Sequence, residues 1–331
     1  MARKSDTGPV DTSDVQLKRA VSIWNDSGGV GKTTTSLNVA EALARRDNSV
    51  LVIDLDPQAG GLTDHAGYEA AQQHPQYNIV DALLLPDRTL DEVIIPADND
   101  GGLAWDLIPA HTGLANFDTK LMANLAPDEN PLLLLRQNIE QAKLYTDYDY
   151  IVLDCQASRG RIIENAVAAT LNVMIPTECS RKGARAVDGL VNYISEVQRD
   201  LRNASGVRDD ITTGVLSIVP NMAAKNGHLD NTEKQALEHL FREHQQLMPP
   251  FYIPSRAALS AAWTSQKTLL EYFEAENTRN LRANEEVLPE MFDTLADYIE
   301  AGGIAPVDDS GVANIPPGLL SADEAELEGT P

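Results

Sequence analysis

One stretch of the sequence combines glycines, a lysine and adjacent threonines, residue types that together suit phosphate binding. The stretch runs Asn25-Asp26-Ser27-Gly28-Gly29-Val30-Gly31-Lys32-Thr33-Thr34. Glycine lets the backbone curl so that successive N–H groups point at phosphate oxygens. A lysine in such a loop reaches the β- and γ-phosphates of a nucleotide, and the hydroxyl that follows it ligates Mg²⁺. We therefore predict that the phosphates are held by Gly28, Gly29, Val30, Gly31, Lys32, Thr33 and Thr34, and that Thr33 is also a metal ligand.

The segments on either side of this stretch fit a phosphate-binding loop. The apolar run 20–24 before it predicts a buried strand, and residues 35–44 after it carry apolar side chains at helical spacing. Strand, glycine loop, Lys-Thr and helix is the order that such loops require, because the helix amino terminus adds its partial positive charge. Asp26 stands where the usual pattern has its first glycine, so the loop is a variant.

Two further apolar runs end in carboxylates. Residues 49–53 lead into Asp54 and Asp56, and residues 150–153 lead into Asp154. Continuous apolar runs are typical of buried parallel strands, whose carboxyl ends meet ligands at one edge of the sheet. We predict that Asp154 holds Mg²⁺ through water, and that Asp56 orients or deprotonates an attacking water and also contacts the metal through water.

Strands alternate with helices along the rest of the chain, which predicts an α/β fold. We expect a doubly wound, mostly parallel sheet flanked by helices, in the three-layer arrangement of P-loop NTPases. Further strands are predicted at 107–110, 171–177, 213–219 and 251–254, and helices at 79–85, 131–145, 183–202, 230–246 and 277–300. We assign residues 19–302 to one domain, 1–18 to a flexible arm and 303–331 to a disordered acidic tail.

The composition restricts the classes of protein. Asp and Glu number 50 against 26 Lys and Arg, which gives a net charge of −24. This lysine-poor excess of carboxylates favours adaptation to a salt-loaded cytoplasm, where self-repulsion is screened, over an ordinary acidic protein. The same charge argues against a generic basic nucleic-acid surface.

Cysteine use and hydropathy predict a cytoplasmic protein. Cys155 and Cys179 are the two cysteines, and they form no Cys-x-x-Cys pair, which favours a reducing compartment and argues against a cysteine metal site. No apolar run approaches the roughly 18 residues of a spanning helix, and the first residues lack the apolar region of a signal peptide.

The ordered motifs resemble the ParA/MinD group of deviant-Walker P-loop ATPases, and within it the ParA-type partition proteins. The matching segments are 27–34, 54–58, 148–155, 175–179, 219–221 and 253–272. The resemblance implies ATP and Mg²⁺ bound in a sandwich homodimer, with Lys32 and Asp56 catalytic, Asn221 at the adenine edge and Pro254 beside the base. It also implies nonspecific DNA binding, association with the nucleoid, and a ParB-like or other adaptor that stimulates slow hydrolysis during plasmid or chromosome segregation.

One departure from the family pattern bears on catalysis. The family's loop has a second lysine just before its Gly-Gly, which reaches the partner subunit's phosphate, and this chain has Ser27 there. A hydroxyl cannot supply a cation to the charge that develops on the transferred phosphoryl group. A basic cluster offers compensation, with Arg181 or Lys182 reaching a phosphate. The alternative is that its members are solvated surface charges: Arg159, Arg161, Arg181, Lys182 and Arg185.

The sequence allows more than one interpretation of the carboxyl-terminal basic residues and of the function. Arg256, Lys267, Arg279 and Arg282 are the candidate DNA contacts, against the alternative that they are surface charges. The leading function is an ATP-dependent partition ATPase. Ser27 favours a second reading, a nucleotide-gated switch or positioning scaffold that scarcely hydrolyses ATP. A membrane-bound positioner and an iron–sulfur scaffold are disfavoured, because the carboxyl-terminal segment is acidic and the cysteines are unpaired.

Overall fold

A parallel sheet positions the glycine loop and the carboxylates that follow its strands. The computed structural model describes residues 20–68, 77–98, 103–125, 130–203, 214–224, 228–275 and 287–301, and it confirms the predicted α/β fold class. Within these residues the sheet has six strands in the order β3-β2-β4-β1-β5-β6, and all neighbours are parallel. The strands are β1 Ala20–Ile23, β2 Val50–Asp54, β3 Asp106–Ile108, β4 Tyr150–Asp154, β5 Asn172–Glu178 and β6 Gly214–Asn221.

Helices cover both faces of this sheet. In the described ranges they are α1 Lys32–Ala44, α2 Leu62–His65, α3 Ile79–Leu84, α4 Phe117–Asn124, α5 Leu134–Gln141, α6 Leu144–Asp147, α7 Arg161–Thr170, α8 Arg181–Asn203, α9 Asn231–His244, α10 Ala257–Thr264, α11 Leu269–Ala275 and α12 Leu288–Glu300. Short 3₁₀ turns occur at Leu90–Val93, Thr112–Asn116 and Gln245–Leu247.

The central strands are mostly apolar because each is covered on both sides. Leu51 and Ile53 of β2 pack into one apolar cluster, and Val50 and Val52 pack into another on the opposite face. This is the pattern expected of a parallel strand buried on both faces. The carboxyl ends of β1, β2 and β4 therefore meet at one edge, where the chain order reverses and ligands usually bind.

One predicted element is shorter than expected, and another is wrong. The helix predicted at 131–145 begins only at Leu134 and ends at Gln141, because Lys143 adopts a left-handed conformation (φ 60°) and starts a separate turn. The strand predicted at 251–254 is not a strand, since only Pro254 forms a bridge, with Ala223. A proline has no N–H to continue a ladder. Of the helix predicted at 277–300, the described part begins at Leu288. The predicted arm and tail lie outside the described residues.

Gly183 allows the start of α8 to lie against the end of β5. A Cβ at this position would lie 2.3 Å from the carbonyl oxygen of Glu178, which is backbone and cannot rotate away. We expect Gly183→Ala to lower the free energy of unfolding by about 1–2 kcal/mol, because overpacking costs about 1–3 kcal/mol and helix propensity returns up to about 1 kcal/mol. Chemical denaturation measures this. Gly214→Ala is the control, since nothing lies within 4 Å of its added Cβ, and an equal loss in both variants would contradict the explanation.

Candidate functional site

The glycine stretch forms a loop between β1 and α1, and side-chain hydrogen bonds hold it in place. Asn25 donates from Nδ2 to the carbonyl of Pro176 at 2.8 Å and accepts from the N–H of Ser27 at 2.9 Å. Gly29 and Gly31 have φ angles of 72° and 92°, in the region where glycine is favoured. The loop is thereby tied to β5, the strand next to β1.

Asn221 holds the other side of the loop. Its Nδ2 donates to the Val30 carbonyl at 3.0 Å, and its Oδ1 accepts from the N–H of Met222 at 2.8 Å. A Cβ on Gly31 would lie 2.0 Å from the same Nδ2. The loop therefore needs glycine here for two reasons, the left-handed backbone and the close approach of Asn221.

Lys32 begins α1 and turns back into the loop. Its Nζ donates to the Ser27 carbonyl at 2.8 Å, and its side chain is buried. Burial lowers the pKa of Lys32, while the carboxylates of Asp154 and Asp56 oppose that shift. The ammonium thus lies near the Ser27 carbonyl and within electrostatic reach of Asp154 and Asp56.

Asp54 and Asp154 lie side by side at the ends of β2 and β4, but their hydrogen bonding differs. Asp54 accepts from the N–H and hydroxyl of Thr63 and from the N–H of Asp56. Asp154 accepts from the Ser36 hydroxyl at 2.8 Å through Oδ1, whereas its buried Oδ2 has no hydrogen-bond partner. Burial, together with the neighbouring Asp54, raises the pKa of Asp154 to about 8. Burial raises the pKa of Asp54 to about 6.

The unpartnered oxygen of Asp154 fits a hard cation. The Thr33 hydroxyl is close enough to Asp154 to favour its charged form, although it makes no hydrogen bond to Oδ2. Within the described ranges no group of three His, Cys, Asp or Glu residues gathers that could hold a metal alone. A hydroxyl and a carboxylate are the kind of small protein ligand set that Mg²⁺ uses when phosphates and water supply the rest.

Asp56 faces the same space from the other side of Lys32. Its Oδ1 accepts from the N–H of Gln58 at 3.0 Å, and burial raises its pKa while Lys32 opposes the shift. It lines a cavity of about 350 Å³. The other lining residues are Gly28, Gly29, Gly31, Lys32, Thr33, Thr34, Gln58, Ala59, Gly60, Gly61, Ala157, Met222 and Trp263. The structure therefore brings the predicted loop and Asp56 into one cavity.

Asn221 and Pro254, the two residues expected to contact the nucleobase, are poorly accessible to a ligand. Asn221 is buried, and both ends of its amide are engaged as described above. Pro254 is also buried and lies beside Ala223 rather than among the cavity's lining residues. Met222 and Trp263, which sequence reasoning did not single out, do line the cavity. Neither residue belongs to a sequence motif with a defined chemical role, so the sequence offered little reason to select them.

The basic cluster divides into two parts. Arg159 donates to Asp26 in the loop, with nitrogen–oxygen distances of 3.0 Å from Nε and 2.9 Å from Nη2. Its guanidinium lies 5.1 Å from the ring centre of Tyr193. Arg161 pairs instead with Glu164 on its own helix. The Asp26–Arg159 pair went unpredicted, although both residues were noted separately.

Arg181, Lys182 and Arg185 lie exposed at the start of α8. None of the ion pairs seen in the described part of the chain involves them. The structure therefore puts Arg159, rather than Arg181 or Lys182, in contact with the loop.

The candidate DNA contacts are scattered. Arg256 donates to the carbonyl of Ala224 at 3.2 Å, so part of its guanidinium is used within the chain. Lys267 lines a separate cavity of about 670 Å³. Arg279 and Arg282 lie outside the described residues.

Among the described helices, none combines the length and apolar character needed to span a bilayer.

Comparisons with known proteins agree with this fold. The family model described as "AAA domain" matches residues 18–206. The chain is 30% identical over 256 residues to the sporulation initiation inhibitor protein Soj of Bacillus subtilis, covering 77% of this chain and 92% of Soj. It is 32% identical over 184 residues to the chromosome partitioning protein ParA of Myxococcus xanthus, covering 55% of this chain and 60% of that protein.

A solved structure supports the fold independently. An ATP complex of an McdA variant from Cyanothece superimposes with a TM-score of 0.66 at 21% identity, over 85% of this chain and 96% of that one. At this identity the likeness concerns the fold alone. The family match, the identity with Soj and the loop geometry together establish that the chain belongs to the ParA/MinD superfamily of P-loop ATPases.

Proposed function

We propose that the protein is a ParA-like partition ATPase that binds ATP and Mg²⁺ in a sandwich homodimer and couples slow hydrolysis to the segregation of DNA. The observation that carries the proposal is the convergence of Lys32, Asp56 and the unpartnered oxygen of Asp154 at one edge of the sheet. The name of the Myxococcus xanthus relative, chromosome partitioning protein ParA, supports partition as the process. In this proposal the protein acts in the cytoplasm, on the nucleoid, together with a ParB-like or other adaptor.

Each site residue has a defined part in this proposal. Lys32 exchanges the Ser27 carbonyl for phosphate oxygens, and the backbone N–H groups of the loop bind the same phosphates. Thr33 and Asp154 hold the metal, Asp154 through water. When bound, Mg²⁺ neutralises charge on the phosphates. Asp56 orients the attacking water and accepts its proton, a role that its raised pKa favours.

We propose that Arg159 supplies the cation that Ser27 does not. It is held against the loop by Asp26 and remains 47% exposed, so it is available to a phosphate at the subunit face. Arg181 and Lys182 remain candidates, but they lack such a contact with the loop. DNA is engaged through the adaptor or through direct arginine contacts, because a diffuse field on so acidic a chain is screened by salt.

Arg159→Ala is expected to lower ATP turnover about 10-fold or more, as the loss of a charge-stabilising group does. Stability should change by less than about 1 kcal/mol, because the Asp26–Arg159 pair is half-exposed. Turnover and thermal melting measure the two effects. Arg161→Ala is the matched control, since Arg161 pairs with Glu164 away from the loop. Equal turnover in the two variants would remove Arg159 from the proposal.

The overall proposal is tested by ATP turnover at high KCl with Mg²⁺, run beside light scattering, for the wild type and Asp56→Ala. We expect an ATP-dependent dimer in both proteins, with turnover lost in the variant. Asp56 lines the cavity but forms no part of the loop, so nucleotide binding should survive.

Ser27 supports a second function, a nucleotide-gated switch or positioning scaffold with little hydrolysis. This function predicts an ATP-dependent dimer whose negligible turnover is the same in the wild type and Asp56→Ala. That result would replace the ATPase proposal with the switch. Failure to bind ATP would contradict both.

A further inference from the structure

Trp263 is the one tryptophan in a position to touch a bound nucleotide. The chain has three tryptophans, and Trp24 and Trp105 are 0% and 1% exposed. Trp263, on α10, is partly exposed and lines the 350 Å³ cavity that the phosphate loop also lines. It also meets Thr34, near the start of α1, in a narrow gap next to that cavity.

His65 supports the Trp263 ring from behind. The two rings are stacked, with centroids 4.4 Å apart and an angle of 27° between their planes. His65 is 6% exposed, and neither of its ring nitrogens has a partner with hydrogen-bond geometry, although the Lys267 carbonyl is close enough to act on its pKa. Burial lowers the pKa of His65, so the ring is neutral at physiological pH. Its described contact is therefore the stack, which suits a supporting role.

Hydrogen bonds to the edge of the sheet hold the helix that carries His65. His65 belongs to α2, and Thr63 of the same helix donates twice to Asp54 at the end of β2. The stack is thus attached to the end of β2, where Asp54 lies beside Asp154 of β4. A ring held in this way loses little freedom when a ligand packs on it.

The cavity has a polar part and an apolar part, just as a nucleotide has charged phosphates and a flat base. Glycines, Lys32 and Thr33 make one part polar and suited to phosphate, whereas Met222 and Trp263 bring apolar surface. The Asn221 amide, which the family resemblance places at the adenine edge, is bonded to Val30 and Met222. A flat aromatic base gains affinity by stacking on an aromatic ring.

We infer that Trp263, supported by His65, is the stacking platform for the nucleobase of the bound nucleotide. The inference rests on the proposed function, in which this cavity binds a nucleoside triphosphate. Stacking makes no distinction between adenine and guanine, so Trp263 contributes affinity for a base, and other groups select which base is bound.

The test compares ATP with inorganic tripolyphosphate, which carries the phosphates but no base. Binding of each to the full chain with Mg²⁺ is measured by calorimetry for the wild type, Trp263→Ala and Trp263→Phe. We expect Trp263→Ala to weaken ATP binding about 10-fold, within the range for one stacked base. Tripolyphosphate binding should change by less than about twofold, and Trp263→Phe should retain most of the affinity for ATP.

Two further variants separate stacking from general damage. Thr264→Ala changes an exposed neighbour on the same helix and should leave both affinities unchanged. His65→Ala removes the support and should weaken ATP binding less than Trp263→Ala, again without affecting tripolyphosphate. In the wild type, ATP but not tripolyphosphate should quench tryptophan fluorescence, and most of that quenching should vanish in Trp263→Phe.

The outcomes separate this inference from the proposed function. Suppose that the wild type binds both ATP and tripolyphosphate. If Trp263→Ala then weakens neither, or weakens both equally, Trp263 does not stack on the nucleobase, while the assignment of the phosphate site is unaffected. If the wild type binds neither ligand, the proposed function fails and the inference fails with it.

Discussion

Lys32→Ala is expected to reduce ATP turnover at least about 100-fold and to abolish ATP-dependent dimerisation. The Lys32 ammonium donates to the Ser27 carbonyl and lies within electrostatic reach of Asp56 and Asp154. Such a cation stabilises charge that grows on the phosphates, and the loss of one stabilising group of this kind costs about 100- to 1,000-fold in rate. Turnover with Mg²⁺ and light scattering measure the two effects.

The loss should come from the site and not from unfolding. Lys32 is a desolvated cation with one described hydrogen bond, so the nucleotide-free variant should melt within a few degrees of the wild type. Lys234→Ala removes an exposed lysine of α9 and should leave turnover unchanged. Wild-type turnover in Lys32→Ala would contradict the assignment of the loop as the phosphate site.

Asp154→Asn is expected to have opposite effects on the empty and the loaded protein. Burial and the neighbouring Asp54 raise the pKa of Asp154, so ionising it inside the folded protein is unfavourable. An amide removes that penalty, and the nucleotide-free variant should melt at a higher temperature than the wild type above pH 8. In the proposed function Asp154 holds Mg²⁺ through water, so the loss of its charge should remove most of the stabilisation by ATP with Mg²⁺.

The pH dependence follows from the direction of the shift. The folded protein holds a proton on Asp154 up to about pH 8, whereas an unfolded aspartate loses its proton near pH 4. The folded state therefore binds more protons in this window, and the free energy of unfolding falls as pH rises from about 4 to about 8. Asp54, whose pKa is raised to about 6, contributes in the same direction.

Thermal melting between pH 6 and pH 9 tests this account. The nucleotide-free wild type should lose stability from pH 6 to about pH 8 and then level off, and Asp154→Asn should lose less. Stabilisation by ATP with Mg²⁺ should grow with pH in the wild type, because the metal competes with the proton on Asp154. Parallel melting curves for the two proteins at every pH would show that Asp154 is not the titrating group.

The sequence alone determined the phosphate loop and the general fold. The loop lies within ten consecutive residues, so local spacing is sufficient to place Lys32 and Thr33 after the glycines. Asp56 and Asp154 were placed by a simple rule, since parallel strands end at one edge of the sheet. The structure puts both at that edge, while their chemical roles stay predictions.

Only the tertiary structure decided which distant groups meet at that edge. Arg159 reaches Asp26 across 133 residues, and Asn221 reaches Val30 across 191. Trp263 belongs to a helix that sequence reasoning did not predict, and its stack on His65 depends on how α10 packs against α2. Periodicity and motif spacing report burial and local hydrogen bonding. They do not report which surfaces of separate elements touch, because that is set by the packing of the whole core.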